Sequence, residues 1–521
     1  MKTTTTTTVT FANPQEEIAY LKQEIAELTA KLNWFMEQFR LSKQREYGRS
    51  SEKSAPGQLS IFNEAEVEAK PDAPEEATIE VTYTRRKHKE TKEEKLEKLP
   101  VEDIQYRLTE GERVCECCGG TLHEMSTEIR SEIKIIPPQA VTVRHIRYVY
   151  SCRNCEKNEI KTPVKTAPMP NPALPGSIAS PSAIAYVMSQ KFVSGMPLYR
   201  QEQDFERLGI KISRQTMANW MIQASDRWLK ILYERMREHL LAKDILHADE
   251  TTLQVLHEEG RPAGTTSYMW LYRTGREGPP IILYDYQATR SGKHPARFLK
   301  GFKGYLHTDG YGGYNGIPNI TIVGCWAHAR RKFDEALRAL PPNAKNTPTV
   351  AQEGLNFCNQ LFAVERDLHD VTPEERYKKR MERSRPVLDA FKEWLKYQTP
   401  RVLPKSALGQ AIQYCCNQWD KLEGFMKDGR LELDNNRCER SIKPFVIGRK
   451  NWLFANTAKG AGASATIYSV VETAKENNLN PFEYLKFLFE KMPNMDLDDK
   501  KALDEILPWS AALPENCRAR K

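Results

Sequence analysis

Three carboxylates in this 521-residue chain stand where they can do chemistry together: Asp249 in Ile-Leu-His-Ala-Asp-Glu-Thr, Asp309 in Leu-His-Thr-Asp-Gly-Tyr, and Glu439 in Leu-Asp-Asn-Asn-Arg-Cys-Glu-Arg. The aspartates lie in, or at the end of, apolar strand-like runs. The glutamate opens an amphipathic helical segment bracketed by arginines. Carboxylates converging from separate elements suit a pair of Mg²⁺ (or Mn²⁺) ions, and such a pair clamps both the attacking and the leaving oxygen of a phosphodiester. Converged in space, the three imply a chain that cuts and joins nucleic acid. Taken singly, each has a plainer use: Asp309 before Gly310 is a turn former, and Glu439 closes a capping box begun by Asn436. Glu250 and Asp434 rank lower. Strand alternation sends Glu250 to the face opposite Asp249, and Asp434 precedes the helix.

Positioning these acids requires a sheet. Strand patterns occur at 245–256, 267–273 and 281–286, a short helix at 295–299, strands at 304–308 and 320–324, then a helix from Trp326 to about Leu340. Three strands, a helix, a strand and further alternation is the order of a mixed α/β sheet. The first acid then lies inside the first long strand, the second at the end of the strand after the short helix, and the third on a later helix. A ribonuclease-H-like sheet brings two such aspartates side by side, with room for metals roughly 4 Å apart. The catalytic domain is expected over 244–342 and 432–480, interrupted by an all-helical insertion over 343–431 that Thr372-Pro373-Glu374-Glu375 punctuates as a helix start. A C-terminal tail is expected over 481–521, polar beyond Glu490.

Upstream, residues 14–47 read as a coiled-coil helix. Ile18, Leu21, Ile25, Leu28, Leu32, Phe35 and Phe39 alternate in steps of three and four, a seam whose natural use is self-association into a homo-oligomer. A Ser-, Glu-, Pro- and Lys-rich linker follows over 48–98. Residues 99–165 form a β-rich module with a hairpin of Glu132–Ile136 and Ala140–Val143 around Pro137-Pro138. Cys115-x-x-Cys118 and Cys152-x-x-Cys155 flank it with the spacing of a closed, structural Zn²⁺ site. Cys117 leaves the choice of ligand in the first pair open.

Residues 180–240 are helical, and within them Leu198–Leu208, a turn at Gly209, and Ser213–Ala224 read as a helix-turn-helix-like DNA-binding region presenting Arg214, Gln215 and Asn219. Further cations for a nucleic-acid backbone are Arg330 and Arg331, Lys443, and Arg449 and Lys450 beside Trp452. Cys325-x-x-His328 has metal-ligand spacing, yet without a second pair nearby a structural role is favoured.

The net charge of +8 permits a polyanionic partner without demanding one. No run of eighteen or more apolar residues offers a membrane span. The threonine tract at Met1–Thr10 lacks the apolar core of a signal peptide, and the 11 cysteines include only two tight pairs. A reducing cytosol is the expected location.

Several strings carry a family resemblance. Tyr47-Gly-Arg-Ser-Ser-Glu-Lys53, the double CxxC, Leu198-Tyr-Arg-Gln-Glu202, Ala248-Asp-Glu-Thr251, Asp309-Gly-Tyr311, Cys325-Trp-Ala-His328, and Asp434-Asn-Asn-Arg-Cys-Glu-Arg440 running on to Gly448-Arg-Lys-Asn-Trp-Leu-Phe454 occur in one order. In these the chain resembles the IS66-type DDE transposases of bacterial insertion sequences. The resemblance implies a ribonuclease-H-like domain with a helical insertion before the glutamate, an N-terminal zinc module, helical DNA-binding parts, and companion proteins from the same element. It puts Asp249, Asp309 and Glu439 on the family's catalytic acids. The expected reaction is cleavage at the element ends and joining of 3′-hydroxyls to target DNA. The rivals are a non-catalytic DNA-binding regulator derived from a transposase, which binds ends without cutting, and a stand-alone metal-dependent nuclease, which cuts without joining.

Overall fold

The structure, a computed structural model, describes residues 138–152, 164–340 and 349–519, with further helical positions between Gln15 and Met36. The linker, Cys115, Cys117, Cys118, Cys155 and the expected strand Glu132–Ile136 lie outside the described residues. The chain divides into two compact units. One comprises Met1–Lys53 with Pro168–Ala519, the other Ser54–Ala167 with Arg520–Lys521.

In the second unit β1 (Val149–Ser151) pairs antiparallel with β2 (Val164–Thr166), and Cys152 follows β1 directly. The expected strand at Ala140–Val143 is not a strand. Alternation supplies two faces but no partner, and among the described residues no backbone pairs with this segment, so Val141 and Val143 stand exposed.

The first unit begins with a helical layer: α1 (Pro181–Phe192), α2 (Leu198–Arg207), α3 (Arg214–Ala224) and α4 (Lys230–Leu241). Gln201 is buried and donates to the Val187 and Met196 carbonyls, which locks α2 against α1. Glu202 accepts from the Arg214 N–H while the Ser213 hydroxyl caps Thr216, so α3 starts on two side chains.

The sheet follows. Its strands are β3 (Ile245–His257), β4 (Thr266–Thr274), β5 (Ile282–Gln287), β6 (Gly304–Thr308) and β7 (Ile320–Gly324), in the order β5-β4-β3-β6-β7, and a short β8 (Ala455–Thr457) joins the far end of β3. The β5-β4-β3 part is antiparallel, while β3-β6-β7 and β3-β8 are parallel. A mixed sheet requires helical crossovers, and α5 (Lys293–Phe298) and α6 (Trp326–Ala339) follow β5 and β7. The edge at β5 is closed by a helix. Ser469 accepts from the Tyr284 N–H, and the Thr473 hydroxyl both accepts from the Ile282 N–H and donates to its carbonyl. These hydroxyls replace a further strand, so the edge offers no template for aggregation.

Between sheet and glutamate lie α7 (Val350–Asp367), α8 (Pro373–Gln398) and α9 (Ala407–Leu422), all helical as expected. Thr372 caps α8 by accepting from the Glu375 N–H. These helices share a second core with Trp326 and Phe333 of α6 and Val323 of β7. The chain then re-enters the sheet domain through α10 (Asn436–Trp452), β8 and α11 (Ala458–Glu476).

The expected polar tail is corrected: after α12 (Pro481–Lys491), α13 (Lys500–Glu505) and the turns that follow it put Leu503, Ile506, Leu507, Leu513 and Cys517 into the main core. Those residues are too widely spaced in sequence to show a period, and they become a face only through turns.

At the other end, the described seam residues Ile18, Ile25, Leu28, Leu32 and Phe35 are helical and exposed, each to more than half its area. Leu21 and Phe39 lie outside the described residues.

One buried cation fixes how the insertion delivers its exit strand. Arg380 is 0% exposed, grips Glu365 through Nε and Nη2 (both 2.7 Å), and donates to the carbonyls of Phe425, Asp428 and Leu431. Replacing it by Ala strands a part-buried carboxylate and three carbonyls, so Arg380→Ala is expected to cost about 3–5 kcal/mol, read as a lowered urea midpoint. An unchanged midpoint would show that the exit segment does not depend on this residue.

Candidate active site

The site lies where the sheet parts. On one side β3 pairs with β4 throughout its middle, Asp249 lying opposite Leu271. On the other side β6 pairs with β3 only from Ile245 to His247, and β8 joins only from Val255. Between those points β3 has no strand neighbour on that side among the described residues, and Asp249 sits in the gap. Helix α10 fills it. The Asn435 amide donates to the Ala248 carbonyl (2.9 Å), and at the far end Arg449 donates to the Thr252 hydroxyl (3.0 Å). The backbone acceptor that has lost β6 is thereby satisfied.

The two aspartates are placed by register. His247 pairs with His307 across the parallel strands, and each aspartate follows its histidine by two residues. Because side chains alternate along a strand, each aspartate shares the face of its own histidine. The two imidazoles stack, with ring centres 4.3 Å apart and planes 10° apart. Asp309 lies one residue beyond β6, where Gly310 turns the chain at φ +98°, and its Oδ1 accepts from the Tyr311 N–H (2.9 Å). A side chain at position 310 would be strained and would crowd the Tyr414 hydroxyl. That hydroxyl donates to the Asp309 carbonyl (3.0 Å), tying the insertion to the acid.

Glu439 stands on the first turns of α10. The capping-box use does not hold. The helix starts on Asn435, whose own side chain is spent on β3, while Asn436 donates to Asp434 (2.7 Å). Beneath this turn Arg273 of β4, 2% exposed, donates to Ser441 and the Arg437 carbonyl and pairs with Glu476 (2.7 Å). Glu439 Oε2 lies 3.6 Å from Arg331, and Oε1 lies 3.8 Å from His328 Nδ1. Both Oε1 and that Nδ1 are buried without a hydrogen-bond partner among the described residues. Together with Cys325 Sγ they form a cluster whose ligand atoms all lie within 4.8 Å of one another.

The electrostatics follow from this crowding. Burial pushes the Asp249 carboxyl well above the usual carboxylate range. The Asp309 charge pushes it further, Glu250 and Glu439 add to the rise, and the Glu250 N–H opposes it. Glu250 is engaged elsewhere: it pairs with Arg290 and accepts from the Tyr314 hydroxyl (2.7 Å). Asp434 caps α10 by accepting from the Asn436 N–H (3.0 Å).

Below the acids lies a neutral layer. Burial lowers His247 to about 4, against the pull of Glu432 and Asn435, and holds His307 well below its ordinary value. Both rings are therefore uncharged at neutral pH, and the 3.3 Å approach of His247 Nε2 to Glu432 is no ion pair. His247 Nδ1 donates to Asn435 Oδ1 (2.9 Å), while Glu432 is held ionised, against its burial, by hydrogen bonds from Arg437 and Arg276.

His247, His307, Glu432 and Asn435 were missed as positioning residues. The signal was available as two copies of His-x-Asp, one per strand.

The residues expected to meet nucleic acid differ in exposure. Arg214, Gln215, Asn219 and Lys450 are exposed, and Gln215 donates to Asn219 (3.3 Å). Arg331 is half-exposed beside Glu439, and Lys443 is partly buried on α10. Arg330 instead bonds Asn359 of α7 (2.8 Å), and Arg449 is bound to Thr252, so these two join elements together.

Comparison with known proteins now decides the family. A family model described as "Transposase IS66 family" matches residues 176–463, more than half the chain. The chain belongs to the IS66 transposase family. Other models of this family match around it: "zinc-finger binding domain of transposase IS66" over 112–156, "IS66 C-terminal element" over 469–509, and "Transposase C of IS166 homeodomain" over 34–104. The chain is 30% identical over 415 residues to "Uncharacterized protein y4hP" of Sinorhizobium fredii, covering 76% of this chain and 73% of that one. It is 30% identical over 412 residues to "Uncharacterized protein y4jD" of the same organism, covering 76% and 78%. Among the described residues no helix is long and apolar enough to cross a membrane.

The raised Asp249 carboxyl has a consequence for an IS66 transposase without metal. The folded state keeps a proton that the unfolded chain releases near pH 4, so this group costs stability as pH rises from there through the folded value. Asp249→Asn removes that cost. The metal-free variant is expected to melt above the parent at pH 8 and to converge with it toward pH 4. Parallel melting curves at all pH values would contradict the crowding.

Proposed function

We propose that this transposase cleaves phosphodiesters at the ends of its insertion sequence and joins the freed 3′-hydroxyls to target DNA. In this reading Asp249, Asp309 and Glu439 hold divalent cations, Mg²⁺ or Mn²⁺, in a ribonuclease-H-like domain interrupted by the insertion over 343–431. The observation that carries the proposal is the burial of Asp249 against the charges of Asp309 and Glu439 at the break in the sheet. Crowded carboxylates whose nearest arginine, Arg331, is half-exposed, one of them with an oxygen unpartnered among the described residues, suit hard cations. When bound, these ions would neutralise the phosphate and stabilise charge on the attacking and leaving oxygens.

The chain supplies position. Asp249 and Asp309 come from adjacent strands and Glu439 from a helix pinned to one of them, so the three oxygen donors are set before DNA arrives, which lowers the reorganisation needed in the transition state. A water oxygen attacks phosphorus, the bond from phosphorus to the 3′ oxygen breaks, and the 3′-hydroxyl is released. That hydroxyl then attacks a target phosphodiester, whose own 3′ oxygen leaves. No side chain becomes covalently attached.

Arg214, Gln215 and Asn219 face DNA from α3, while Arg331, Lys443 and Lys450 contact its backbone near the acids. Cys115, Cys118, Cys152 and Cys155 close a structural Zn²⁺ site, a role that the match to a zinc-finger family model over these residues supports. The exposed seam from Ile18 to Phe35 joins copies of the chain.

Asp249→Asn is expected to abolish Mg²⁺-dependent cleavage of end-sequence DNA, by at least about a thousandfold, while sparing binding in a mobility-shift assay. Undiminished cleavage by that variant sinks the assignment, and end binding without cleavage by the parent under any divalent ion identifies a regulator. A strand-transfer assay on pre-cut ends separates joining from cutting alone. Deleting residues 1–47 is expected to lower the oligomeric state by light scattering. An unchanged mass per particle would remove the seam from the account.

A further inference from the structure

The Cys325-x-x-His328 pair remains unused by the proposed chemistry, although it stands against Glu439. Cys325 precedes α6 and His328 lies on its first turn, so this helix start faces the first turns of α10. The two members have different tasks. Cys325 is fully buried, and its sulfur accepts the Asn435 N–H (3.2 Å), which joins the two helix starts. His328 is about a quarter exposed and turns Nδ1 toward Glu439 Oε1 at 3.8 Å. That distance is too long for a hydrogen bond, yet both atoms are buried and unpartnered. A ring nitrogen and a carboxylate oxygen that face one space, too far apart to bond each other, form half of a ligand set. The ring also lies within electrostatic reach of Asp309.

We infer that His328 is a fourth protein ligand of the catalytic metal site, binding the same divalent cation as Glu439 through Nδ1. This rests on the metal-site reading of Asp249, Asp309 and Glu439 given above. A role limited to steering Glu439 would call for a hydrogen bond between them, which the geometry lacks. The inference carries a metal preference, because imidazole favours Mn²⁺ over Mg²⁺, whereas carboxylates alone suit both.

The test uses the full-length, zinc-loaded protein with Mn²⁺ as probe. Pulsed electron paramagnetic resonance is expected to show a directly coordinated imidazole nitrogen in the parent and none in His328→Gln. Titration of free Mn²⁺ is expected to weaken about tenfold in His328→Gln, with a smaller loss for Mg²⁺ in competition. His328→Asp, which restores an oxygen donor, is expected to regain affinity while losing the preference for Mn²⁺. Nitrogen coupling that persists in folded His328→Gln, or an unchanged affinity there alongside its loss in Asp249→Asn, overturns the inference and leaves the carboxylate site standing. Mn²⁺ binding by the parent no tighter than by Asp249→Asn overturns both readings together.

Discussion

Everything at this site depends on one buried junction, where Asn435 meets His247 and Ala248. Parallel strands β3 and β6 stay together for only three paired positions before they part, and a carboxylate on each strand must emerge just past the parting. A short parallel pairing is a weak means of fixing register, and a slip of one residue would send an aspartate to the opposite face. The stacked imidazoles of His247 and His307 oppose such a slip, since they fill one buried layer at matched positions. Asn435 then uses both ends of its amide on β3, one on the His247 ring and one on the Ala248 carbonyl. The same few atoms set strand register and helix start, so all three acids share one reference.

That economy explains the neutral histidines. A charged imidazole beneath Asp249 would hold that carboxylate ionised and compete with a metal for it. Burial keeps both rings neutral, and Arg437 and Arg276 take over the neutralisation of Glu432. The acids above are left crowded and costly, an arrangement that a divalent cation relieves. The insertion participates as well. Tyr414 holds the Asp309 carbonyl from α9, and Arg380 gathers the carbonyls of the segment that leads into α10. Its 3-helix core is therefore part of what positions the glutamate, although it contributes no acid.

Much of this is legible in the sequence. The strands carrying Asp249 and Asp309 declare themselves because short apolar and β-branched stretches are bounded by Gly or polar turns, and the start of α8 is written in Thr372-Pro373. What stayed hidden depends on long-range partners. Ala140–Val143 alternates like a strand but no described backbone pairs with it. Leu503, Ile506 and Cys517 look isolated until turns bring them onto one core. Glu439 was the least secure acid, since capping and metal binding ask for the same residue at the same place. The amide of Asn435 separates the two uses, by spending on β3 the group a capping box would need.

The central claim is that Asp249, Asp309 and Glu439 share one divalent-cation site. Anomalous scattering from Mn²⁺-loaded crystals with end DNA tests it most directly. The account predicts two peaks about 4 Å apart, bounded by these three carboxylates and a phosphate oxygen. Peaks elsewhere, or a metal that leaves Glu439 unligated, would contradict it.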